Sequence, residues 1–72
     1  MEAKNYRICK FKSDGTWKYG FFHQWIDGAF AIVEDREGKP DLVEITQIIF
    51  LENLSYWYSS IKGEYIIETN HK

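Results

Sequence analysis

Cysteine and histidine are scarce in this sequence, and the shortage excludes whole classes of protein. The single cysteine, Cys9, cannot form an intramolecular disulfide, which most small secreted domains need in order to hold their shape. Cys9, His23 and His71 are the only soft metal ligands, and they lack C-x-x-C and H-x-x-x-H spacing. We therefore expect a protein of the reducing cytoplasm, without a metal or any other cofactor.

Signals for membranes, secretion and nucleotide binding are also absent. No apolar run approaches the ~20 residues of a membrane helix, and no basic start leads into a signal-peptide-like stretch. The five glycines form neither G-x-G-x-x-G nor G-x-x-x-x-G-K, the patterns that cradle phosphate groups. The sequence predicts no membrane partner and no small-molecule substrate.

What the chain does contain is enough apolar surface to fold. Its 72 residues are 44% apolar and 18% aromatic, which predicts a single folded domain over residues 1–72. A domain this small buries only ~60% of the surface of its unfolded chain, so an internal catalytic cleft is not expected. The sequence therefore favours a protein that is not an enzyme.

Charge is nearly balanced overall but uneven along the chain. Nine basic and eleven acidic residues give a net charge of −2. Basic residues are in excess over residues 1–20, and acidic residues are in excess over residues 21–44. Because binding to a phosphate backbone needs clustered cations, nucleic acid is a less favoured partner than protein.

Glycine-containing turns divide the first fifty residues into strand-sized segments. The Asp-Gly pairs at 14–15 and 27–28 are strong hairpin signals because both residue types tolerate positive φ. A longer turn covers residues 35–40. The segments between the turns are rich in aromatic and β-branched residues, which predicts strands over 6–12, 17–26, 29–34, 42–45 and 48–51.

The segment 17–26 alternates most clearly between its two sides. We predict that the odd-numbered side faces inward, and that Gly20 marks a bulge or bend that helps a small barrel to close. That side carries Trp17, Tyr19, Phe21, His23 and Trp25.

The stretch 53–61 fits two structures. The spacing of Leu54, Trp57, Tyr58 and Ile61 is that of a short amphipathic helix. A strand is the alternative, because the side chains of residues 54, 56 and 58 would then lie on one face and those of Ser55, Trp57 and Ser59 on the other. We favour a short helix or helical turn. An edge strand over 65–68 and a frayed tail over 69–72 are predicted to follow.

Cys9 and His23 form the pair most suited to nucleophilic catalysis, which needs a thiol beside a base. If the first two strands pair around the turn at 13–16, Cys9 faces Gly20 and His23 faces Tyr6. Cys9 and His23 then lie on a diagonal at best, so His23 is expected to be a partly buried strand residue.

Acidic residues cluster in and around the turn at 35–40. A hydrolase would hold two carboxylates across a pocket, but Arg36 and Lys39 compensate this cluster, so a solvated hairpin tip is the simpler interpretation. The functional interpretation is an acidic rim that steers a basic surface of a protein partner. Its members are Glu34, Asp35, Glu37 and Asp41.

Thirteen aromatic residues are more than a core of this size can hide. Tyr56, Trp57 and Tyr58 are consecutive, and neither a helix nor a strand directs three consecutive side chains to one side. Because tyrosine and tryptophan are frequent interface hot spots, we predict these three as protein-binding residues. The alternative is that they plug the open end of a barrel. An exposed edge strand beside them also makes a homodimer an expectation.

Aromatic rings close to lysines allow a second function, the binding of single-stranded nucleic acid by base stacking in a basic groove. Trp17, Tyr19, Lys10 and Lys18 would form that groove. The segment 17–23 has some likeness to the RNA-binding motif of cold-shock barrels but lacks its Gly-x-Gly core.

Three segments resemble small proteins of Firmicutes temperate phages. They are GTWKYGFFHQW at 15–25, AIVED at 31–35 and VEITQIIF at 43–50, in which Ile45 and Thr46 replace the usual proline. The resemblance covers residues 6–52 and implies an all-β, SH3-like five-stranded antiparallel barrel, with 53–68 as a C-terminal extension. Some small phage proteins bind and inhibit host defence complexes. The resemblance therefore implies an inhibitor or adaptor that acts on a host protein complex in the host cytoplasm.

Overall fold

The structure is a computed structural model that describes residues 6–69, and these residues form β-strands joined by turns. No helix within this range is long and apolar enough to cross a membrane. A 3-10 turn, Ile45–Gln47, joins the fourth and fifth strands. The strands are β1 (Arg7–Ser13), β2 (Thr16–Ile26), β3 (Phe30–Asp35), β4 (Pro40–Glu44), β5 (Ile48–Phe50), β6 (Leu54–Ser59) and β7 (Glu64–Thr69).

The first five strands form one antiparallel sheet in the order β4-β3-β2-β1-β5. The predicted all-β class and the five predicted strands are confirmed, and Cys9 faces Gly20 as the turn at 13–16 requires. The sheet is strongly curved, because the Ser13 hydroxyl in β1 donates to Asp41 Oδ2 in β4 at 2.8 Å although two strands lie between them. Over the described residues the sheet does not close into a barrel.

The concave side of this sheet holds the core. Gly20 lies in this core, at a position with no room for a side chain. A Cβ there would lie 2.7 Å from Phe11 Cε1 and closer still to the Glu34 carbonyl oxygen. The Phe11 ring therefore lies directly over the backbone of β2. The buried cluster consists of Cys9, Phe11, Ala31, Val33 and Val43, with Phe22, Ile48 and Phe50 packed against it.

A bulge in β2 changes the side on which its aromatic residues lie. The pairing of β2 with β3 shifts between Phe22 and Gln24, which leaves His23 as the extra residue. Phe21 lies on the convex side, whereas Trp25 shares the concave side with Phe22, at 4.9 Å between ring centroids. The prediction that all odd-numbered residues of 17–25 face inward is therefore wrong. The irregularity predicted at Gly20 lies further along the strand.

The residues after β5 form a two-stranded antiparallel sheet, β6-β7, in which Trp57 faces Ile66. The helix or helical turn predicted over 53–61 is wrong, and the strand alternative is correct. The strand predicted over 65–68 is confirmed as part of β7, but it pairs with β6 and not with an edge of the five-stranded sheet. Thr69, the first residue of the predicted frayed tail, is the last residue of β7. Residues 70–72, which include His71, lie outside the described range.

This hairpin packs on the convex side of the five-stranded sheet. Tyr56 and Tyr65 lie against the buried ring of Phe21, with ring centroids 4.5 and 5.1 Å away. The Tyr65 N–H donates to the Arg36 carbonyl at 2.8 Å, and the Tyr6 N–H donates to the Tyr56 hydroxyl at 3.2 Å. These contacts fix the position of the hairpin relative to the sheet.

Candidate protein-binding surface

The turn between β6 and β7 is held by one buried serine. The Ser59 carbonyl accepts the Gly63 N–H at 2.8 Å, and the Ser59 hydroxyl accepts the Lys62 N–H at 3.2 Å. Gly63 has a φ of 70°, a backbone conformation that favours glycine. The turn therefore has a defined shape, and it holds Ile61 in solvent with 96% of its surface exposed.

The three consecutive rings of β6 have different environments. Tyr56 faces the five-stranded sheet and anchors the hairpin there. Trp57 points to the opposite side and is 51% exposed. Tyr58 packs against Tyr65 at 5.1 Å between ring centroids, yet it remains 55% exposed. Of the predicted contact residues, Trp57 and Tyr58 are thus accessible, on opposite faces of the hairpin. We call these two rings, together with Ile61 in the turn between the strands, the hairpin surface.

Ile61 is the member of this surface that the sequence reasoning missed. Helical spacing assigned it to the packed side of a helix, together with Leu54. The signal that could have found it is the Lys62-Gly63 turn, which places Ile61 between two strands once the strand alternative is chosen.

The predicted acidic rim is partly a structural feature of the β3–β4 turn. Asp35 Oδ1 accepts the N–H groups of Glu37 and Lys39, both at 2.9 Å, and so shapes the turn. Glu37 itself is exposed, and it lines a groove of 280 Å³ together with Glu64 of β7. Asp35 lines the same groove, so two members of the rim lie beside Glu64 of the hairpin.

The other two acidic residues bind partners within the sheet. Glu34 Oε1 lies 2.7 Å from His23 Nε2 on the convex side. Asp41 accepts hydrogen bonds from the Ser13 hydroxyl and from the Leu42 N–H. These two carboxylates stabilise the fold locally and are less available than Glu37 for steering a partner.

Cys9 and His23 are not brought together. Cys9 is buried on the concave side, and burial raises the pKa of its thiol to about 12, against a smaller lowering by Arg7. A thiol of that kind is protonated at neutral pH and is a poor nucleophile. His23 lies on the convex side, where its ring is 4.4 Å from that of Tyr6. Among residues 6–69, no group of three or more potential ligands could hold a metal ion.

Three of the four residues of the alternative nucleic-acid site lie together on the convex side of the sheet. Trp17 and Tyr19 are 43% and 45% exposed, and Lys10 Nζ lies 5.3 Å from the centre of the Trp17 ring. Lys18 is directed to the other side of β2 by strand alternation, although it also lines the groove beside the two rings. The other charged residues that line this groove are Asp35, Arg36, Glu37 and Glu64, so acidic residues exceed basic ones there by one, which disfavours phosphate.

Comparison with known proteins gives no relative for this arrangement. No protein-family model, no curated protein and no solved structure matches the chain.

Proposed function

We propose that this chain is a non-enzymatic protein-binding module that contacts its partner through the hairpin surface of Trp57, Tyr58 and Ile61. The observation that carries the proposal is that these three apolar side chains stay exposed on an element whose position is already fixed. Tyr56 and Tyr65 hold the hairpin on Phe21, so the exposed rings are not needed to keep it in place.

Trp57 and Tyr58 lie on opposite faces of the hairpin, so a partner that contacts both rings must surround the end of the hairpin that carries Ile61. Tryptophan and tyrosine bury a large area while losing little conformational entropy, and a rigid turn lowers the entropic cost of ordering Ile61. Glu64 begins β7 directly after the turn that holds Ile61, and Glu37 lines a groove together with Glu64. Carboxylates at a rim mostly affect the rate of association, so the favoured partner has an apolar pocket bordered by basic residues.

The finer fold assignment belongs to the same proposal. A five-stranded sheet whose first strand pairs with both β2 and β5, and whose β1 and β4 meet through Ser13 and Asp41, supports an SH3-like barrel. With the resemblance of residues 6–52 to small phage proteins, this favours an inhibitor or adaptor that binds a host protein complex.

Capture experiments with matched ring variants test the proposal. The immobilised chain is exposed to a bacterial lysate beside its Trp57→Ala and Trp17→Ala variants, which remove rings of similar exposure from different surfaces. We expect Trp57→Ala to weaken binding of the captured protein by about 2 kcal/mol or more, and Trp17→Ala to leave it unchanged. Loss of capture with Trp17→Ala alone would contradict the proposal.

A second candidate function, binding of single-stranded nucleic acid, is favoured by the contact of Lys10 with the exposed Trp17 ring. Bases stack on such rings, and lysines contact the phosphates. Filter binding of a mixed-sequence oligonucleotide at low and physiological salt tests it, because phosphate contacts weaken steeply as salt rises. Absence of binding at low salt excludes this candidate.

A further inference from the structure

A second group of apolar side chains is accessible on the convex side of the five-stranded sheet. Strand pairing sets them in two neighbouring rows, since Ile26 faces Phe30 and Ile32 faces Leu42. Phe30 and Ile32 flank the buried Ala31 along β3, so they and the residues that face them lie on the convex side. Phe30 and Leu42 are 38% and 54% exposed, and with the half-buried Ile32 they form what we call the β3–β4 patch.

The strands that carry this patch are acidic. β3 and β4 contain two glutamates and two aspartates but no lysine or arginine. Glu44 faces Phe30 and so lies on the convex side at one end of the patch. Within residues 6–69, the Glu44 carboxylate belongs to no ion pair and does not cap the 3-10 turn that follows it. A molecule that covers the patch therefore meets uncompensated negative charge.

The edge of β4 beside the patch is closed to a partner strand. β4 begins with Pro40, which has no N–H, and the Leu42 N–H is bonded to Asp41 Oδ1 at 2.8 Å. The patch is therefore open only from the face of the sheet. A helix has a diameter of about 10 Å, which equals the two strand spacings from β2 to β4. One helix on this face covers all three side chains of the patch.

We propose that the β3–β4 patch docks an amphipathic helix of a protein partner, with lysine or arginine residues beside the apolar stripe of that helix. The stripe covers Phe30, Ile32 and Leu42, and a basic side chain pairs with Glu44. This surface is separate from the hairpin surface, so the inference goes beyond the proposed function. A second copy that presents the same patch is disfavoured, because a twofold contact brings two acidic patches together. The same charge disfavours nucleic acid and anionic lipid.

Nuclear magnetic resonance of the isotope-labelled full chain, titrated with model helices, is the first test. One probe is an amphipathic helical peptide of leucine and lysine, and the other is its counterpart of leucine and glutamate. The lysine peptide should shift the amide signals of Phe30, Ile32 and Leu42, and the glutamate peptide should bind at least about tenfold more weakly. Equal affinity for the two peptides, or shifts concentrated at Trp57 and Ile61, would overturn the proposal.

Serine variants test the apolar part of the site. Leu42→Ser should weaken binding of the lysine peptide about tenfold, because it removes the most exposed apolar side chain of the patch. Ile49→Ser is the matched control, since Ile49 has a similar exposure but lies in β5, at the opposite edge of the sheet. The control should bind the peptide as the parent chain does. Equal weakening by both variants contradicts docking on the patch.

Charge reversal tests the acidic part of the site. Glu44→Lys should weaken the lysine peptide about tenfold and strengthen the glutamate peptide, a gain that unfolding of the variant cannot produce. Glu68→Lys makes the same change of charge on the exposed Glu68 of β7 and should alter neither affinity. Loss of both peptides with Glu44→Lys, or equal effects of the two reversals, overturns the pairing with Glu44.

The hairpin surface serves as the last control. Trp57→Ala should leave the affinity for the lysine peptide unchanged, because Trp57 lies outside the β3–β4 patch. If Trp57→Ala abolishes peptide binding while Leu42→Ser does not, the peptide binds the hairpin surface and the proposal is wrong.

Discussion

The five-stranded sheet and the C-terminal hairpin use their apolar residues in different ways. All of the buried apolar side chains among the described residues belong to β1–β4, and the hairpin contributes only a buried serine, Ser59. The hairpin rings are half-buried or exposed. The sheet therefore uses its buried apolar residues to fold, whereas the hairpin leaves Trp57, Tyr58 and Ile61 exposed, where we propose that they contact another molecule.

Removing a core ring should give the largest effect. Phe11→Ala deletes one of the two largest fully buried side chains, and such truncations cost about 3–5 kcal/mol. Because a domain of this size has a total stability of about 5 kcal/mol, the variant should be largely unfolded. Circular dichroism with urea titration measures this. A variant as stable as the parent chain would show that the concave side is not the core.

The close approach at Gly20 should give the next largest effect. Gly20→Ala forces a Cβ against Phe11 and the Glu34 carbonyl, so we expect a loss of about 3 kcal/mol in the free energy of unfolding. Gly28→Ala is the matched control, because its Cβ would meet nothing within 4 Å and only its φ of 66° is strained. That control should lose about 1 kcal/mol. Equal losses would contradict the packing of Phe11 over β2.

Loosening the hairpin should have a smaller and local effect. Tyr65→Ala removes an edge-on contact with Phe21 at 5.1 Å and contacts with two neighbouring tyrosines, at a cost of about 2 kcal/mol. Hydrogen exchange should show faster exchange in β6 and β7 while β1–β3 stay protected. Uniformly faster exchange across both regions would mean that hairpin and sheet unfold as one unit.

The smallest effect on stability is expected at the hairpin surface. Trp57→Ala should change the free energy of unfolding by less than about 0.5 kcal/mol, because the side chain is half exposed. The thermal midpoint of the variant measures this. A loss comparable to that of Tyr65→Ala would assign Trp57 to packing and remove it from the proposed contact surface.

Much of the sheet was predictable because its signals are local. The Asp-Gly pair at 14–15 sets the β1–β2 register, and Asp14 and Gly15 have the positive φ values that such a turn requires. The bulge at His23 had no such signal, since it depends on how β2 pairs with β3. This is why residues 17–25 do not keep to one side: Phe21, before the bulge, lies on the convex side, whereas Trp25, after it, lies on the concave side as predicted.

The hairpin was harder to predict because the apolar pattern of residues 54–61 fits both the repeat of a helix and the alternation of a strand. Leu54, Trp57 and Tyr58 have helical spacing, but Leu54, Tyr56 and Tyr58 also alternate as a strand. This segment forms a strand because it pairs with β7, which lies later in the chain. Exposure of Trp57 and Tyr58 follows from that pairing and from docking on Phe21, neither of which a short sequence window contains.

The position of Phe21 has a consequence for synthesis of the protein on the ribosome. Its ring lies on the convex side of a sheet that ends at residue 50, whereas Tyr56 and Tyr65, which cover it, are translated later. A nascent chain can form the first hairpins before these tyrosines emerge, and during that interval the Phe21 ring has Tyr6, 6.3 Å away between ring centroids, as a neighbour but lacks the cover of the hairpin. The cover over Phe21 is thus added last, when translation reaches β7.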